Sequence, residues 1–390
     1  MDTNHADKIA QTHLLPTIAE LYGLNGYKIE PIPPDDAGDY NLVYLCEKEH
    51  IGSKVIRIAY RNSKTRDDFF GETEFVRHLY KNGGSVSNVI CSLNGNMAEE
   101  IVYNNHSFFV CMFERAKGIK FAKNGYKYRE GVSISEYFYN SGKVLGKLHE
   151  LAKNYSPVHR RHDYLDKYTT SYINNLIPKS LSLAKEKIFE LVKTAAEMSI
   201  SKSKETYGMI HYDYHDENYC IDFETGDITV FDFDESCFGW YMLDIAHLWL
   251  NGFEWAYSEP DASKRKKIMD DYFAVAIAGY RSETNVSDST LGQLPVFLKI
   301  FAMETIMRDF EYMRHTGEPL ECFAELSYHL TCLENDIPYW GFFHEIYSCE
   351  SPFECEERIT LAVAMTEAST HSPTAPQTHA PRPPTPVPSP

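Results

Sequence analysis

The first third of the chain alternates between extended stretches and two helical segments. Apolar residues recur with helical spacing in residues 6–23 and again in residues 66–81, where Asn-Gly-Gly follows as a stop signal. Residues 39–46, 54–60 and 107–113 are rich in branched and aromatic side chains, which is typical of strands. The pattern therefore predicts a β-rich unit at the start of the chain.

Helical periodicity dominates the remainder. One hairpin interrupts it, because residues 219–223 and 228–233 are strand-like and enclose a turn of Glu-Thr-Gly-Asp. No internal repeat at the period of a solenoid is visible. The helices are expected at residues 134–151, 180–198, 263–280, 291–314 and 318–334.

Several Asp, Asn and His residues cluster around this hairpin. The segment before it contains His211, Asp213 and Asn218 in the pattern H-x-D-x-x-x-x-N, and the second strand ends in D-F-D, with Asp232 and Asp234. Asn218 and Asp232 lie nearly symmetrically about the turn, so an antiparallel hairpin brings them side by side. Phosphoryl transfer requires such a set: one aspartate beside the attacking hydroxyl, and an aspartate and an asparagine that hold Mg²⁺.

These motifs resemble the aminoglycoside phosphotransferase and choline kinase-like superfamily, small-molecule relatives of protein kinases. The resemblance covers residues 38–310 and includes D-I-A at Asp244, whose family counterpart braces the catalytic loop, and L-G-K-L-H ending at His149, interpreted as a structural histidine. D-F-D-E followed by G-W-Y is similar to the branch of homoserine kinase-like and hydroxylysine kinase-like enzymes. One position departs from the pattern, since Tyr212 stands where the family usually has glycine.

The resemblance implies an α+β, two-lobed protein kinase-like fold, with a β-rich N-lobe and a mostly helical C-lobe. The nucleotide-binding N-lobe is expected at residues 1–115, and the C-lobe with the catalytic loop and the acceptor site at residues 116–362. Residues 363–390 are predicted to be a disordered tail. Its last twenty residues hold eight of the nineteen prolines and cannot bury enough apolar surface to offset the entropy of ordering.

The family pattern assigns roles to the hairpin residues. Asp213 is the expected catalytic base, and His211 is expected to pack beneath the loop and orient it. Asn218 and Asp232 are expected to hold Mg²⁺, while Asp234 either adds a metal contact or binds the acceptor.

The nucleotide clamp is expected in the first lobe. Arg57 is the expected cation for the phosphates, with Lys54 as the alternative, and strand alternation places Val55 on the same face, against the adenine. Glu72 matches the family glutamate that pairs with this cation, and Glu74 is its alternative, since only one of the two can face the strand.

Two further segments complete the expected ATP site. Gly38 lies where the family has its loop over the phosphates, although a single glycine before a strand is equally typical of an ordinary turn. The segment Glu114 to Gly118 resembles the linker between lobes, so backbone groups at Glu114 and Ala116 are expected to bind adenine.

Composition narrows the function. A net charge of −18 argues against nucleic-acid binding through a basic patch, and no run of about 18 apolar residues predicts a membrane span. Nine scattered cysteines without a C-x-x-C motif suit reduced thiols in a cytoplasmic protein, and the N-terminus lacks the basic and apolar regions of a signal peptide. We expect a monomer or homodimer with a small-molecule partner.

The charge of the motif region also predicts the acceptor. From His211 through Asp244 there are ten Asp or Glu residues and no Lys or Arg, so the acceptor side is expected to attract an amine. The sequence thus predicts an ATP-dependent kinase for an amino alcohol, a hydroxy amino acid or an aminoglycoside. A catalytically degenerate kinase-like binding or coat protein is the alternative. A protein kinase is disfavoured, because G-x-G-x-x-G, an A-P-E-like segment and an activation loop are missing.

Overall fold

The computed structural model describes residues 3–33, 41–60, 65–198 and 202–343. Gly38 and the predicted tail at 363–390 lie outside the described residues. Within them the chain forms one antiparallel sheet, followed by a helical part that contains two short hairpin-like pairs of strands. No helix of the described residues is long and apolar enough to cross a bilayer.

The sheet has six strands in the order β1–β2–β3–β6–β4, and β5 also pairs with β6. Arg57 of β3 lies between Val43 of β2 and Cys111 of β6 in the ladder. The last strand ends at Glu114, and the lobe boundaries themselves stay predictions. The strands are β1 (Lys28–Pro31), β2 (Asn41–Lys48), β3 (Gly52–Ala59), β4 (Val89–Ile90), β5 (Ala98–Tyr103) and β6 (His106–Glu114).

Helices cover this sheet. The N-terminal helical segment begins three residues before the predicted start and ends two residues before the predicted end. It has three parts, α1 (Thr3–Ile9), a π-helical turn (Ala10–Leu14) and α2 (Leu15–Leu21). Its apolar stripe packs with the buried sheet residues Tyr44, Ile56 and Phe108. Helix α3 (Arg66–Lys81) has the predicted bounds, because Thr65 and Asp68 form a capping box at its start.

The helical part contains nine further helices among the described residues. Predicted helix 318–334 was wrong at its start: Pro319 is followed by a short 3₁₀ turn, Leu320–Cys322, before α12 begins. The helices are α4 (Ile134–Ala152), α5 (Thr170–Leu176), α6 (Ser182–Glu197), α7 (Tyr241–Leu250), α8 (Phe253–Ala256), α9 (Ala262–Arg281), α10 (Asp288–Leu291), α11 (Leu294–Thr316) and α12 (Ala324–Glu334).

Two small sheets present the loop with the sequence motif. Strand β7 (Tyr207–Ile210) pairs with β10 (Cys237–Trp240), and β8 (Tyr219–Ile221) pairs with β9 (Ile228–Val230). The β8–β9 hairpin was predicted, although both strands are shorter than expected. In its register Tyr219 lies opposite Val230, so the motif residues flank the open end of the hairpin.

The hairpin is bonded to the segment that follows the six-stranded sheet. Ile119 and Ile221 exchange backbone hydrogen bonds of 3.1 and 2.9 Å. The preceding Gly118 has φ +90°, and a Cβ built there would lie 2.1 Å from the Ile221 carbonyl oxygen. Only glycine permits this approach, which fixes the hairpin at the junction between the sheet and the helices.

Candidate active site

The loop between β7 and β8 is held by a buried carboxylate from the start of α7. Asp244 accepts hydrogen bonds from the backbone N–H groups of His211 and Tyr212, at 2.9 and 2.7 Å, and its Oδ2 lies 3.0 Å from His149 Nε2. Burial alone would raise the pKa of Asp244, but the His149 hydrogen bond and charge hold it below its ordinary value. The other ring nitrogen of His149 lies 2.9 Å from the Tyr280 hydroxyl of α9. Three elements therefore fix the loop.

His211 connects this loop to the second strand of the hairpin. Its Nδ1 accepts from the Asp213 N–H at 3.3 Å, and its Nε2 lies 3.0 Å from the Phe231 carbonyl oxygen. Burial lowers the pKa of His211, so the ring is neutral at physiological pH. Both ring nitrogens are engaged by backbone groups, which suits the predicted orienting role and leaves none for an acceptor.

Asp213 is the partly exposed carboxylate of the loop. Asn218 Nδ2 donates to its Oδ2 at 2.8 Å and to its backbone oxygen at 2.9 Å, and His215 Nε2 lies 3.3 Å from its Oδ1. Burial would raise the pKa of Asp213, yet the His215 hydrogen bond and charge hold it well below its usual range. Asp213 is therefore ionised at neutral pH and can accept a hydrogen bond from a hydroxyl. The sequence analysis gave His215 no role here.

Asp232 follows the hairpin in a left-handed conformation, φ +60°. Its Oδ1 lies 3.2 Å from Arg57 Nη1, and Arg57 Nη2 lies 2.5 Å from Glu72 Oε2 in a pair that is almost fully buried. Burial and the neighbouring Asp234 raise the pKa of Asp232 to about 7, against the lowering effect of Arg57. A bound cation would relieve the repulsion between these carboxylates.

The donor set fits a small hard cation. The Asn218 amide nitrogen donates to Asp213, which leaves its Oδ1 free to act as an oxygen donor. The N–H of Phe231, next to Asp232 in the chain, donates to the Asn218 carbonyl oxygen at 2.9 Å. The described residues contain no group of three or more His, Cys, Asp and Glu side chains arranged around one metal position. Mg²⁺ suits such a partial site, because it is usually bound by one or two carboxylates together with phosphate oxygens and waters.

The remaining predicted ligand, Asp234, is held on two sides. Its Oδ2 accepts from Asn41 Nδ2 at 3.1 Å, and its carbonyl oxygen accepts from Arg161 Nη2 at 2.6 Å. Arg161 also donates to the Asp68 carbonyl oxygen of α3 at 2.9 Å and is 2% exposed. The sequence analysis missed Arg161, because nothing in Arg-Arg-His at that point separates a buried arginine from its solvated neighbour.

The structure distinguishes the two alternatives for each residue of the nucleotide clamp. Arg57 and Glu72 contact each other, whereas the Lys54 ammonium lies over the Tyr27 ring at 5.1 Å. Glu74 accepts from the His159 backbone N–H at 3.0 Å, and its Oε1 lies 2.6 Å from the Nδ1 of the same residue. The structure thus brings together the first choice of each pair and places the other two elsewhere.

A cavity of about 280 Å³ lies between the sheet and the hairpin. Ala116 lines it, whereas Glu114 does not: its N–H donates to the Asn88 carbonyl oxygen at 2.8 Å, and its own carbonyl accepts from the Ser87 hydroxyl. The prediction for Glu114 is thus not matched by the geometry, because its backbone groups are already bonded. The other lining residues include Val43, Val55, Arg57, Phe113, Phe231 and Asp232.

Part of the negative charge counted in the sequence is compensated. Lys117 pairs with Asp222 at 2.6 Å, and Lys120 pairs with Glu217 at 3.1 Å. Burial raises the pKa of Asp216, another of these acids, above its ordinary value. The field on the acceptor side is therefore weaker than the count of ten acids suggests.

Comparisons with known proteins agree with this geometry. A family model described as "Phosphotransferase enzyme family" matches residues 31–282. The amicoumacin kinase of Bacillus subtilis (strain 168) is 27% identical over 266 residues, which cover 67% of this chain and 74% of that protein.

Solved structures show the fold. An amicoumacin kinase in complex with AMP-PNP, Ca²⁺ and Ami has a TM-score of 0.72 at 22% identity, covering 89% of this chain and all of that one. A microcompartment-associated aminopropanol kinase has a TM-score of 0.55 at 17% identity, covering 90% and 96%. These likenesses confirm the predicted two-lobed α+β fold.

Proposed function

Because the chain belongs to the phosphotransferase enzyme family, we propose that it is an ATP-dependent kinase that phosphorylates a hydroxyl of an amine-bearing small molecule. The observation that carries the proposal is the contact of Asn218 with the ionised Asp213, beside Asp232. This arrangement combines a proton acceptor with oxygen donors for a cation, next to Asp232, which lines the cavity. The predicted lobes at 1–115 and 116–362, the cytoplasmic location and the monomeric or homodimeric state belong to the same proposal.

Asp213 acts on the acceptor. Its carboxylate accepts a hydrogen bond from the acceptor hydroxyl and orients that oxygen toward the γ-phosphorus of ATP. The bond between the acceptor oxygen and the γ-phosphorus forms as the bond to the β,γ-bridging oxygen breaks. The hydroxyl proton passes to Asp213, and ADP carries away the electron pair of the broken bond. Asn218 and His215 keep the carboxylate in place during this exchange.

Asn218 and Asp232 would hold the cation, and Asp234 would supply a further oxygen donor from the same segment. When bound, Mg²⁺ neutralises charge on the β- and γ-phosphates of ATP. Arg57 contributes a fixed positive charge next to Asp232, and Glu72 keeps the guanidinium in position. Val55 and Phe113 line the apolar part of the cavity, where the adenine binds, and the backbone of Ala116 faces it.

The amine in the acceptor is supported by two independent observations. From His211 through Asp244 there are ten acids and no Lys or Arg, and the contacts described above compensate only some of them. The similar proteins are named as kinases of amicoumacin and aminopropanol. An amine-bearing alcohol is therefore the substrate class that both the charge and the relatives favour.

A screen of acceptors tests the proposal. Purified protein with ATP and Mg²⁺ is offered amicoumacin, aminopropanol, hydroxylysine and an aminoglycoside, and ADP release is followed together with ³¹P NMR of the product. We expect a phosphate monoester with at least one amine-bearing alcohol, formed about 100-fold or more slowly by the Asp213→Asn variant. Nucleotide binding without turnover of any acceptor would instead indicate the degenerate, binding-protein alternative.

A further inference from the structure

Tyr212 adopts a conformation that its side chain disfavours. Its φ is +71°, in the left-handed region, where a Cβ is costly and where the related enzymes usually have glycine. Contacts of the side chain must therefore hold it. The Tyr212 hydroxyl donates to Oε1 of Glu304 on α11, 92 residues away in the chain. The residue next to the catalytic aspartate is thus tied to a carboxylate of the helical lobe.

Three tyrosines surround Glu304. The Tyr168 hydroxyl donates to the same Oε1 at 2.5 Å, and the ring of Tyr164 lies 5.4 Å from the Tyr212 ring and 5.5 Å from the Tyr168 ring. Tyr164 is 2% exposed, and its hydroxyl has no hydrogen-bond partner among the residues that the structure describes. Burial and the charge of Glu304 raise the pKa of Tyr164, so the third hydroxyl also faces this carboxylate.

The ring faces of the cluster already attract a cation. The ammonium of Lys167 lies 5.0 Å from the centroid of the Tyr168 ring and 5.9 Å from that of Tyr212. Such contacts with tyrosine are favourable but weak when the cation is solvated. Lys167 is an exposed residue on a flexible stem, so another cation can replace it at little cost.

The cluster lies next to the loop that carries Asp213. The Tyr212 ring is 5.9 Å from the His247 ring, which is 5.0 Å from Phe301, one helical turn before Glu304 on α11. His247 is close enough to both carboxylates that the charges of Asp213 and Glu304 counteract the lowering of its pKa by burial. The carboxylates of Asp213 and Glu304 therefore both lie within electrostatic range of the same imidazole.

We propose that Glu304, with the ring faces of Tyr168 and Tyr212, forms the subsite that binds the protonated amine of the acceptor. Oε2 of Glu304 receives the ammonium, since the described hydrogen bonds reach only Oε1. The unpartnered Tyr164 hydroxyl offers a further acceptor, and the incoming ammonium takes the place of Lys167. This inference rests on the proposed function and identifies the residues that bind the amine.

The test compares two glutamates of α11. Glu304→Gln keeps the size of the side chain and removes its charge. Glu311→Gln is the matched control, because Glu311 accepts from the Tyr172 hydroxyl two helical turns further along the same helix. The probes are aminopropanol with N-acetylaminopropanol, and an aminoglycoside with its N-acetylated form. A lost charge-assisted hydrogen bond predicts a fall in kcat/KM for the amines of about 10- to 100-fold in Glu304→Gln.

The preference of the enzyme for the amine over its N-acetylated form should collapse in Glu304→Gln and persist in Glu311→Gln. An unchanged preference in Glu304→Gln, or an equal loss in both variants, would overturn the subsite. Lys167→Met supplies a change of opposite sign: removing the competing cation should raise kcat/KM for aminopropanol by about 2- to 5-fold. A decrease in that variant would contradict the exchange of cations.

Failure of the subsite and failure of the function are distinguishable. If the wild-type protein phosphorylates an amine-bearing acceptor but the Glu304 variant discriminates as before, only the subsite is wrong. If no acceptor is phosphorylated, the proposed function fails, and calorimetric binding of aminopropanol to wild-type and Glu304→Gln proteins still decides the subsite. Thermal unfolding of each variant establishes that it is folded, so a loss of binding is not read from a denatured chain.

Discussion

Asp213 shows how one loop residue acquires its chemistry from neighbours that are close in sequence but not adjacent. Its partners are Asn218, five residues on, and His215, two residues on, and both contacts depend on the loop folding back on itself. The motif spacing predicted Asn218 at the same site as a ligand of Mg²⁺, and its hydrogen bond with Asp213 was not predicted. The contact with His215 was not predicted either, because a histidine at that spacing contacts the aspartate only in this loop geometry.

We expect Asp213→Ala to lower turnover by about 100-fold or more, the scale of positioned acid–base catalysis. The affinity for MgATP should stay near that of the wild type, since Asp213 faces the acceptor. Steady-state kinetics and calorimetry measure the two quantities. Asp227→Asn removes the same charge from the exposed end of the hairpin and should leave turnover unchanged. Near-normal turnover of a folded Asp213 variant would remove this residue from the mechanism.

The Asp244 carboxylate makes the stability of the folded protein depend on pH. Because its pKa in the folded protein lies below that of the unfolded chain, about 3.9, its stabilisation is complete above about pH 4 and is lost as the pH falls through the folded-state value. Asp244→Asn should lower the free energy of unfolding by on the order of 3 kcal/mol at pH 7.

Urea unfolding of wild-type and Asp244→Asn proteins between pH 7 and pH 3 checks this sign. The difference between the two should narrow as the pH falls, because only the wild type loses the contribution of the carboxylate. A difference that stays constant over this range would show that the stabilisation does not depend on ionised Asp244.

At the scale of elements, helices α4 and α9 pack with their backbones in contact. A Cβ added to Gly279 of α9 would lie 1.9 Å from the Tyr139 carbonyl oxygen, and one added to Gly142 of α4 would lie 1.8 Å from the Ala276 carbonyl oxygen. Glycine normally weakens a helix relative to alanine. Here its absence of a side chain allows α9 to approach closely enough for Tyr280 to reach His149.

Gly279→Ala should therefore destabilise the protein by about 1–3 kcal/mol, the usual cost of overpacking. It should also lower turnover, because α9 carries one end of the contacts that hold the catalytic loop. Gly292→Ala is the control, since its Cβ would meet the Asp288 carbonyl oxygen only at 3.4 Å. Chemical unfolding of both variants provides the comparison, and equal stability of the two would mean that α9 shifts without penalty.

Elements with local determinants could be predicted from the sequence, whereas contacts between distant segments could not. Helix α3 was predicted with its bounds, because its caps are local, and the β8–β9 hairpin because its turn chemistry is local. Arg161 and Glu304 were missed, since their partners lie 73 and 92 residues away. Periodicity records which face of an element is buried; it does not record which distant element covers it.

For the molecule as a whole, nucleotide binding should join the sheet to the helical lobe through the cation. At a MgATP concentration 100-fold above Kd, the wild type should gain about 2.7 kcal/mol of stability. Asp232→Ala should lose most of this gain, because the triphosphate would face acids without its cation.

Thermal unfolding with ATP, in Mg²⁺ and in excess chelator, measures the effect. Chelation should lower the wild type to the level of the Asp232 variant and should leave that variant unaltered. If Asp232→Ala retains its stabilisation by MgATP, Asp234 becomes the principal ligand.

The backbone bonds at the junction have a consequence for how the protein moves. Val230 of the hairpin donates to the Ser85 carbonyl and accepts from the Ser87 N–H, while Ile221 exchanges two bonds with Ile119. Both edges of the hairpin are thus hydrogen-bonded to chain segments next to the sheet. During nucleotide release, the sheet and the helical part should therefore rotate about these four hydrogen bonds, which should stay formed. Hydrogen–deuterium exchange offers a direct view: in the nucleotide-free protein these four bonded amides should exchange slowly and together, while amides of β1 exchange faster.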